Sequence, residues 1–382
     1  AEVRRIAELG VIFELGRHVG DVVAEQLDGG FDAVFLAVGA QLPQRTYVPA
    51  GSAARILDAI ALLRETEDGS AGPPLLGRRV AVYGGGNTAM DAARTAKRLG
   101  ADEAVIVYRR TRDHMPAHES ELQEALEEGV QVRWLRTIAH ADAGRLTIER
   151  MELDEHGYPQ PTGEFEELEA DAVVLATGQV SDLSLVDGVD GIERSGQAIT
   201  VDANLMTGHP GLFAGGDMVP DQRTVTVGIG HGRRAAHGID RWLRGIEIDE
   251  PPEGHDSASE TGIGPQPALT EVPFERLNPW YYSDAPRTVR DQLDAVRRCT
   301  TFDEVVFGLD ASNALFEARR CLSCGNCLAC DNCYGVCPDN AVLKLTPPGA
   351  YAYAFDLDFC KGCGLCAQEC PCGAIEMRPE PI

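Results

Sequence analysis

Apolar residues in this chain gather into short runs that stop at glycine, and the runs alternate with stretches of helical spacing. Residues 79–83 (RVAVY) form such a run, three glycines occupy 84–86, and residues 87–99 (NTAMDAARTAKRL) carry small apolar side chains at helical intervals. A further run at 104–108 (AVIVY) completes a strand, helix, strand unit. A crossover of this kind predicts neighbouring parallel strands, with strand tips and the helix start on one edge of the sheet. Two more runs echo each other across that unit: residues 32–39 read DAVFLAVG and residues 171–178 read DAVVLATG. Each closes on a glycine, Gly39 or Gly178, where the backbone can turn or approach a ligand. The pair predicts a chain that leaves one domain after the first run and returns to it after the second. Chance likeness between two buried strands is the alternative.

Further along, residues 211–217 (GLFAGGD) read as a strand running into a turn, and residues 224–236 (TVTVGIGHGRRAA) as the helix after it. Residues 247–273 are rich in Pro, Gly, Ser and acidic side chains, the composition of a linker. Helical spacing returns at 289–296 and 311–320, which predicts a helical arm over 277–320.

Composition narrows the class. A chain of 382 residues with 44% apolar content can fill the cores of two or three domains. No apolar stretch reaches the eighteen or so residues of a membrane span, and no signal-like or Arg-rich leader is visible. The net charge of -26 argues against nucleic acid, whose phosphates would repel it. It is compatible with docking on a basic redox partner, although acidity more commonly serves solubility. Twelve cysteines suit a reducing compartment, the cytoplasm first.

Eight of those cysteines form two matching runs. Cys327, Cys330, Cys333 and Cys337 precede Pro338, and Cys360, Cys363, Cys366 and Cys370 precede Pro371, so each reads C-x2-C-x2-C-x3-C-P. In this spacing three thiolates hold one iron-sulfur cube while the fourth, beside the proline, crosses to the other. The predicted ligand sets are Cys327, Cys330, Cys333, Cys370 and Cys360, Cys363, Cys366, Cys337. Zinc sites also use C-x2-C pairs, but they close with four ligands and need neither a third cysteine at the same step nor the proline. Cys299, Cys321, Cys324 and Cys372 are left over. Cys321 and Cys324 continue the three-residue step upstream, as alternative ligands or half of a third metal site, or all four are free thiols packed beside the clusters.

Two nucleotide signatures accompany the cysteines. Gly84, Gly86 and Ala89 fit the G-x-G-x-x-A fingerprint, which here follows a strand and opens a helix, so that N–H groups around Asn87 and Thr88 can face a pyrophosphate. At the end of the next strand an NAD site would place an acid for the ribose hydroxyl. This chain has Arg109 and Arg110, which suit a 2'-phosphate and hence NADP(H), a solvated strand end being the alternative. In the second signature Gly216 and Asp217 can present a carboxylate to a sugar-like chain. The helix start at Thr224, Val225 and Thr226 can face a ring that becomes anionic on reduction. Beside an NADP unit, this points to flavin. Hydride transfer between stacked rings needs positioning more than acid-base groups, so no catalytic side chain is nominated.

The run VYGGGNTAMDAARTAKRLGA, with YRR, MPA, LATGQ, GLFAGGD and GRRAA, resembles the small subunit of glutamate synthase and its relatives, over roughly residues 1 to 245. The resemblance implies an α/β flavoprotein with two dinucleotide-binding domains, passing electrons from NADPH through FAD to iron-sulfur clusters. It implies that Arg109 and Arg110 hold the 2'-phosphate, Glu121 the adenosine ribose and Asp217 the flavin ribityl chain. The stretch from LNPWYYSDAPR through EARRCLSCGNC to CKGCGLCAQECPCGAI is similar to a ferredoxin-tailed variety found with 2-oxoacid:acceptor oxidoreductases and other redox complexes, which implies partner subunits. The domains expected are 1–40 (partial FAD domain), 41–174 (Rossmann-like NADP domain), 175–246 (return to the FAD domain), 247–320 (linker and arm) and 321–382 (ferredoxin-like, two [4Fe-4S] clusters). Two features depart from the glutamate synthase pattern: the cluster cysteines follow the flavin domain, and the N-terminal G-x-G-x-x-G for the FAD pyrophosphate is absent. The expectation is that the natural polypeptide extends upstream of Ala1 and binds FAD in its full length. A non-catalytic electron relay with a degenerate flavin site and a glutamate synthase subunit proper are the competing readings.

Overall fold

A computed structural model describes residues 2–44, 46–51, 54–68, 75–246, 272–345 and 353–379. The chain divides into two compact units, Ala1–Asp249 with Leu293–Val305, and Glu250–Gln292 with Val306–Ile382. Most of the predicted linker, 247–271, lies outside the described residues.

In the first unit, helices α1 (Glu2–Glu8) and α2 (Val22–Gly29) precede strands β1 (Val34–Leu36), β2 (Leu42–Pro43) and β3 (Ile56–Asp58) and helix α3 (Ala59–Asp68). Strand β4 (Arg79–Gly84), helix α4 (Asn87–Arg98) and strand β5 (Glu103–Tyr108) follow, then α5 (Glu119–Glu127) and β6 (Gln131–Trp134). Next come β7 (Arg136–Asp142), β8 (Arg145–Leu153), β9 (Pro159–Glu169), β10 (Ala172–Ala176) and β11 (Gln179–Val180). A short hairpin, β12 (Arg194–Ser195) with β13 (Ala198–Ile199), leads to β14 (Leu212–Ala214) and the long helix α6 (Val225–Leu243).

Five strands form a parallel sheet in the order β3-β10-β4-β5-β6. Parallel strands covered on both faces need apolar residues on both, which is why β4, β5 and β10 read as continuous runs. On one face α4 presents Ala89, Met90, Ala92, Ala93 and Ala96, all fully buried against Val82 and Ile106. The alanines let the helix axis approach the strands. On the other face the antiparallel sheet β7-β8-β9 contributes Ile138 and Ile148 against Ala81 and Val107. A smaller core gathers Val22, Ile199, Leu212 and Met218 around the parallel pair β1 and β14. The two look-alike runs therefore lie in different sheets, β1 with β14 and β10 within the five strands. The segments just after them, β2 and β11, pair antiparallel as two adjacent crossings.

The helical arm expected over 277–320 does not form as one element. Within 289–296 only the last two residues are helical, at the start of helix α7 (Ala295–Arg298), because the Asp294 carboxylate caps that helix from Arg297 N at 3.0 Å while Leu293 N is drawn off to Val305 O at 2.9 Å. Leu293–Val305 belongs to the first unit, where buried Arg298 pairs with Glu127 of α5 at 3.1 Å.

The second unit holds helix α8 (Ala311–Arg319), capped by Asp310, and then the cysteine runs. Helix α9 (Asn332–Val336) arises within the first run, followed by the antiparallel pair β15 (Val342–Lys344) and β16 (Tyr353–Phe355), and helix α10 (Leu365–Gln368) within the second. Both runs turn the same way: the residue after the second cysteine, Asp331 or Gly364, is left-handed (φ 67° and 76°), and the helix it starts carries the third cysteine. No helix among the described residues is long and apolar enough to cross a membrane.

Candidate cofactor sites

The phosphate-type cradle is built where β4 meets α4. Gly84 has φ 154°, and a Cβ there would run into the carbonyl of Ala176 on β10, while one on Gly85 would strike the ring of Tyr108 on β5. These two glycines let three strand ends close up. Gly86 caps α4 with no side chain of its own, and nothing lies within 4 Å of where its Cβ would be, so the approach to the start of α4 is open on that side. Asn87 Oδ1 accepts the N–H of His118 at 2.9 Å and fixes the start of α5. Ala89 lies inward as part of the core and does not line the cradle.

Tyr108 links this cradle to the arginines. Its hydroxyl donates to His114 O at 2.6 Å, and burial pushes its pKa up. Arg109, next in the chain, is exposed. Arg110 lies with its guanidinium 5.7 Å from the centre of the Tyr158 ring, and its buried Nε has no hydrogen-bond partner among the described residues. An orphaned buried guanidinium donor fits an anionic ligand.

Glu121 has a partner of its own. Its Oε2 meets Arg94 at 3.0 Å, and Arg94 also pairs with Glu124 at 2.8 Å and with fully buried Glu128 at 2.7 Å. The carboxylate expected at a ribose therefore faces α4, where burial first, and then the charge of Glu121, raise the pKa of Asp91.

At the second signature, β14 runs into a tight turn at Gly216–Met218. Gly216 N donates to Nδ1 of buried His231 at 3.0 Å, and the opposite ring nitrogen lies 3.1 Å from Asp221. Because Nδ1 accepts, the ring proton is on Nε2 and is donated to Asp221. The carboxyl of Asp221 is held below its ordinary pKa by the Gln222 N–H and then by His231. The turn is thus anchored from α6, a role the sequence reading missed. The signal was a lone His one turn from Val227 on the inward face of that helix. Asp217 itself is half-buried, and its carboxylate makes no hydrogen bond or ion pair among the described residues. Thr224 caps α6 through Val227 N at 3.2 Å, leaving Val225 and Thr226 exposed at the helix start.

One short segment touches both sites. Gly178 (φ 119°) accepts Gln44 N at 2.9 Å between the two crossings. Gln179 Nε2 donates to Thr88 at the start of α4, its carbonyl accepts Arg223 just ahead of α6 at 2.7 Å, and Ser181 Oγ donates to the carbonyl of Asp217. Residues 179–181 therefore tie the cradle to the Gly-Gly-Asp turn.

In the second unit the thiols assemble across the two runs. Cys337 joins Cys360, Cys363 and Cys366 around a cavity of about 390 Å3 whose walls include Val342, Phe355 and Leu357. Lys361 reaches Asp339 at 3.0 Å on its rim, and Asp339 first, then the nearby sulfurs of Cys363 and Cys337, raise its pKa. Conversely, Cys370 is drawn to the first run: burial lifts Cys333 to about 11, helped by the neighbouring Cys327, Cys330 and Cys370. Backbone N–H groups aim at these sulfurs, Ala329 at Cys327, Ala341 at Cys337 and Ala374 at Cys370, at 3.2–3.4 Å. Among the described residues no three His, Cys, Asp or Glu side chains close on a point that would hold a single ion. Thiols ranged around a space, with N–H groups directed at them, fit a multi-iron cluster. The leftover cysteines scatter. Cys299 belongs to the first unit, its thiol donating to Glu128 O at 3.4 Å; Cys321 is exposed, and Cys324 is half-buried. All twelve cysteines are free.

Two sheets joined by paired crossings, two helix starts tied to one segment and a thiol-rich second unit define a flavoprotein reductase with two dinucleotide-binding domains and a dicluster ferredoxin domain. The chain belongs to the pyridine nucleotide-disulphide oxidoreductase family, which it matches over residues 8–236, and residues 326–374 match the 4Fe-4S dicluster domain. NADP(H), FAD and two [4Fe-4S] clusters are the cofactors of those two families. The chain is 36% identical over 338 residues, 85% of its length, to the beta subunit of an NADP(+)-dependent formate dehydrogenase of Moorella thermoacetica, covering 46% of that protein. It is 32% identical over 363 residues to the beta subunit of an NADPH-Fe(3+) oxidoreductase of Geobacter sulfurreducens (84% of this chain, 52% of that one). It is 31% identical over 267 residues to the small chain of Escherichia coli glutamate synthase (62% and 56%). The chain thus spans about half the length of the curated relatives it matches. Its fold resembles that of FprA from Mycobacterium tuberculosis in complex with NADPH, with TM-score 0.50 and 20% identity, covering 60% of this chain and 67% of that one.

Proposed function

We propose that the chain is the NADP(H)-dependent, FAD- and iron-sulfur-containing electron-transfer part of a larger cytoplasmic redox complex, and that it converts two-electron transfer at nicotinamide into single-electron transfer at two [4Fe-4S] clusters. The observation that carries this reading is the stitching of the α4 cradle to the Gly-Gly-Asp turn through Gln179 and Ser181, in a chain that also carries two crossed thiol sets. Bound flavin supplies the exchange between hydride and single electrons.

The residues act by binding and orienting. The start of α4 and Gly86 take the NADP pyrophosphate, while Arg109 and Arg110 take the 2'-phosphate and so select NADP(H). Asp217 binds the ribityl hydroxyls, held in place by His231 through Gly216. The start of α6 at Thr224, Val225 and Thr226 faces the flavin ring with its positive end. Cys327, Cys330, Cys333 and Cys370 hold one cluster, and Cys337, Cys360, Cys363 and Cys366 the other. Glu121 reaches the adenosine ribose only by sharing its carboxylate with Arg94. Twelve cysteines, eight of them as cluster thiolates, suit a reducing compartment.

The partner is a catalytic subunit that yields or takes low-potential electrons, of the 2-oxoacid:acceptor oxidoreductase type. The likeness to a formate dehydrogenase beta subunit favours a second reading, in which the partner oxidises formate. Anaerobic mixing of the full natural polypeptide with NADPH is the test. The expected result is bleaching of flavin and cluster absorbance, with NADH much less effective. Cofactor-loaded protein that NADPH leaves unbleached would refute the reading.

A further inference from the structure

We infer that Tyr158 is a specificity-determining residue for NADP(H), holding the Arg110 guanidinium in place for the 2'-phosphate; the inference rests on the reading of Arg110 given above. Tyr158 closes the turn between β8 and β9, and the centre of its ring lies 5.7 Å from the guanidinium carbon. The ring is 59% exposed, so it buries too little apolar surface to serve the core. The guanidinium makes no hydrogen bond or ion pair among the described residues, and its Nε is buried without a partner. A cation over a ring face is attracted by the ring's quadrupole and gives up none of its five N–H donors. The contact therefore places the side chain and leaves its hydrogen-bonding groups for an anion.

Backbone hydrogen bonds bring the ring to the arginine. Leu135 N donates to the Arg110 carbonyl at 3.2 Å and Met151 N of β8 to the Leu135 carbonyl at 2.9 Å, so the β8–β9 hairpin is registered on Arg110. At its tip Asp154 Oδ1 accepts the N–H groups of His156 and Tyr158, both at 2.9 Å, and Asp154 N donates to the Tyr158 carbonyl at 2.9 Å. Gly157 (φ 76°) turns the chain there, and a Cβ on it would come within 3.0 Å of the His114 ring. His114 belongs to the loop that follows the arginines, where its Nδ1 lies 2.8 Å from the Thr111 hydroxyl. The hairpin tip thus meets the arginine loop at two points, Tyr158 on Arg110 and Gly157 on His114. A free arginine loses much rotamer freedom when it grips a phosphate. One already held over a ring loses less, and the difference favours only the nucleotide that carries the phosphate.

The test is anaerobic titration of the full natural polypeptide with NADPH and with NADH at fixed low ionic strength, for wild type, Tyr158→Phe, Tyr158→Leu, Arg110→Met and the Tyr158→Leu, Arg110→Met double variant. Tyr158→Phe keeps the ring face and should bind both nucleotides as wild type does. Tyr158→Leu should weaken NADPH about two- to fivefold, the size of an exposed cation–π contact, with NADH unchanged. In the Arg110→Met background the same change should weaken NADPH no further, because the group it acts through is gone. Equal weakening of both nucleotides by Tyr158→Leu, or the same loss when Arg110 is absent, would show a merely structural role and overturn the inference. Unchanged NADPH binding in Tyr158→Leu would also overturn it, as would Tyr158→Phe as weak as Tyr158→Leu, which would assign the effect to the hydroxyl. Arg110→Met that binds NADPH as tightly as wild type would instead remove the reading of Arg110 itself, and the inference with it.

Discussion

Arg109→Ala is the cleanest probe of cofactor choice. The side chain is exposed at the end of β5 and makes no hydrogen bond or ion pair among the described residues, so its removal takes nothing from the fold. Arg110 is a poorer probe, because its guanidinium packs over Tyr158 and its loss would also disturb that contact. A charge-assisted hydrogen bond to a 2'-phosphate contributes about 1.5 to 3 kcal/mol. At about 1.4 kcal/mol per factor of ten, Arg109→Ala should weaken NADP(H) roughly 10- to 150-fold, nearer the lower figure because the site is open to water. NADH carries no phosphate at that position and should bind as before. Anaerobic titration of the full polypeptide with each nucleotide at fixed low ionic strength reads both constants, and added salt should narrow the gap between them. Equal losses for the two cofactors would refute the assignment.

Three other perturbations bear on the account. Lys361→Gln removes the one lysine at the rim of the Cys337, Cys360, Cys363, Cys366 cavity; a positive charge there favours the more negative reduced cluster, so the variant should lower the midpoint potential of one centre in an EPR redox titration. An unchanged or raised potential would count against that placement. Arg94→Met leaves Glu128 buried with only Arg98, at 3.3 Å, and should destabilise the first unit by about 3 kcal/mol in denaturant unfolding; a loss near zero would show that the network adds nothing. Asp171 accepts the N–H groups of Arg79 and Arg78, which hold its carboxyl below the ordinary value. Asp171→Asn should therefore be less stable than wild type above about pH 4, with the difference shrinking as pH falls through the depressed value, and a pH-independent difference would contradict this.

The sequence was most readable where burial acts on both sides of an element. Strands β4, β5 and β10 are apolar throughout because helices cover one face and the β7-β8-β9 sheet the other. That second sheet was itself unread, since β9 (PQPTGEFEELE) is mostly solvent-facing and its acids pair with Arg136, Arg145 and Arg150. The expected helix over 289–296 lost its first residues to the Asp294 cap and the Leu293–Val305 bond, both set by tertiary placement. Spacing marked the dicluster region, because the three-residue cysteine step is local in each run, and residues 326–374 match the 4Fe-4S dicluster domain. His231 escaped notice for the opposite reason: it acts through Gly216, whose approach depends on the fold and leaves no periodic mark.

Iron and acid-labile sulfide, counted per chain in the anaerobically purified full polypeptide, test the central claim most directly. Two cubes held by the crossed thiol sets require about eight of each, together with a reduced-state EPR spectrum of two interacting centres once NADPH is added. Zinc in place of iron, with no acid-labile sulfide, would contradict the account.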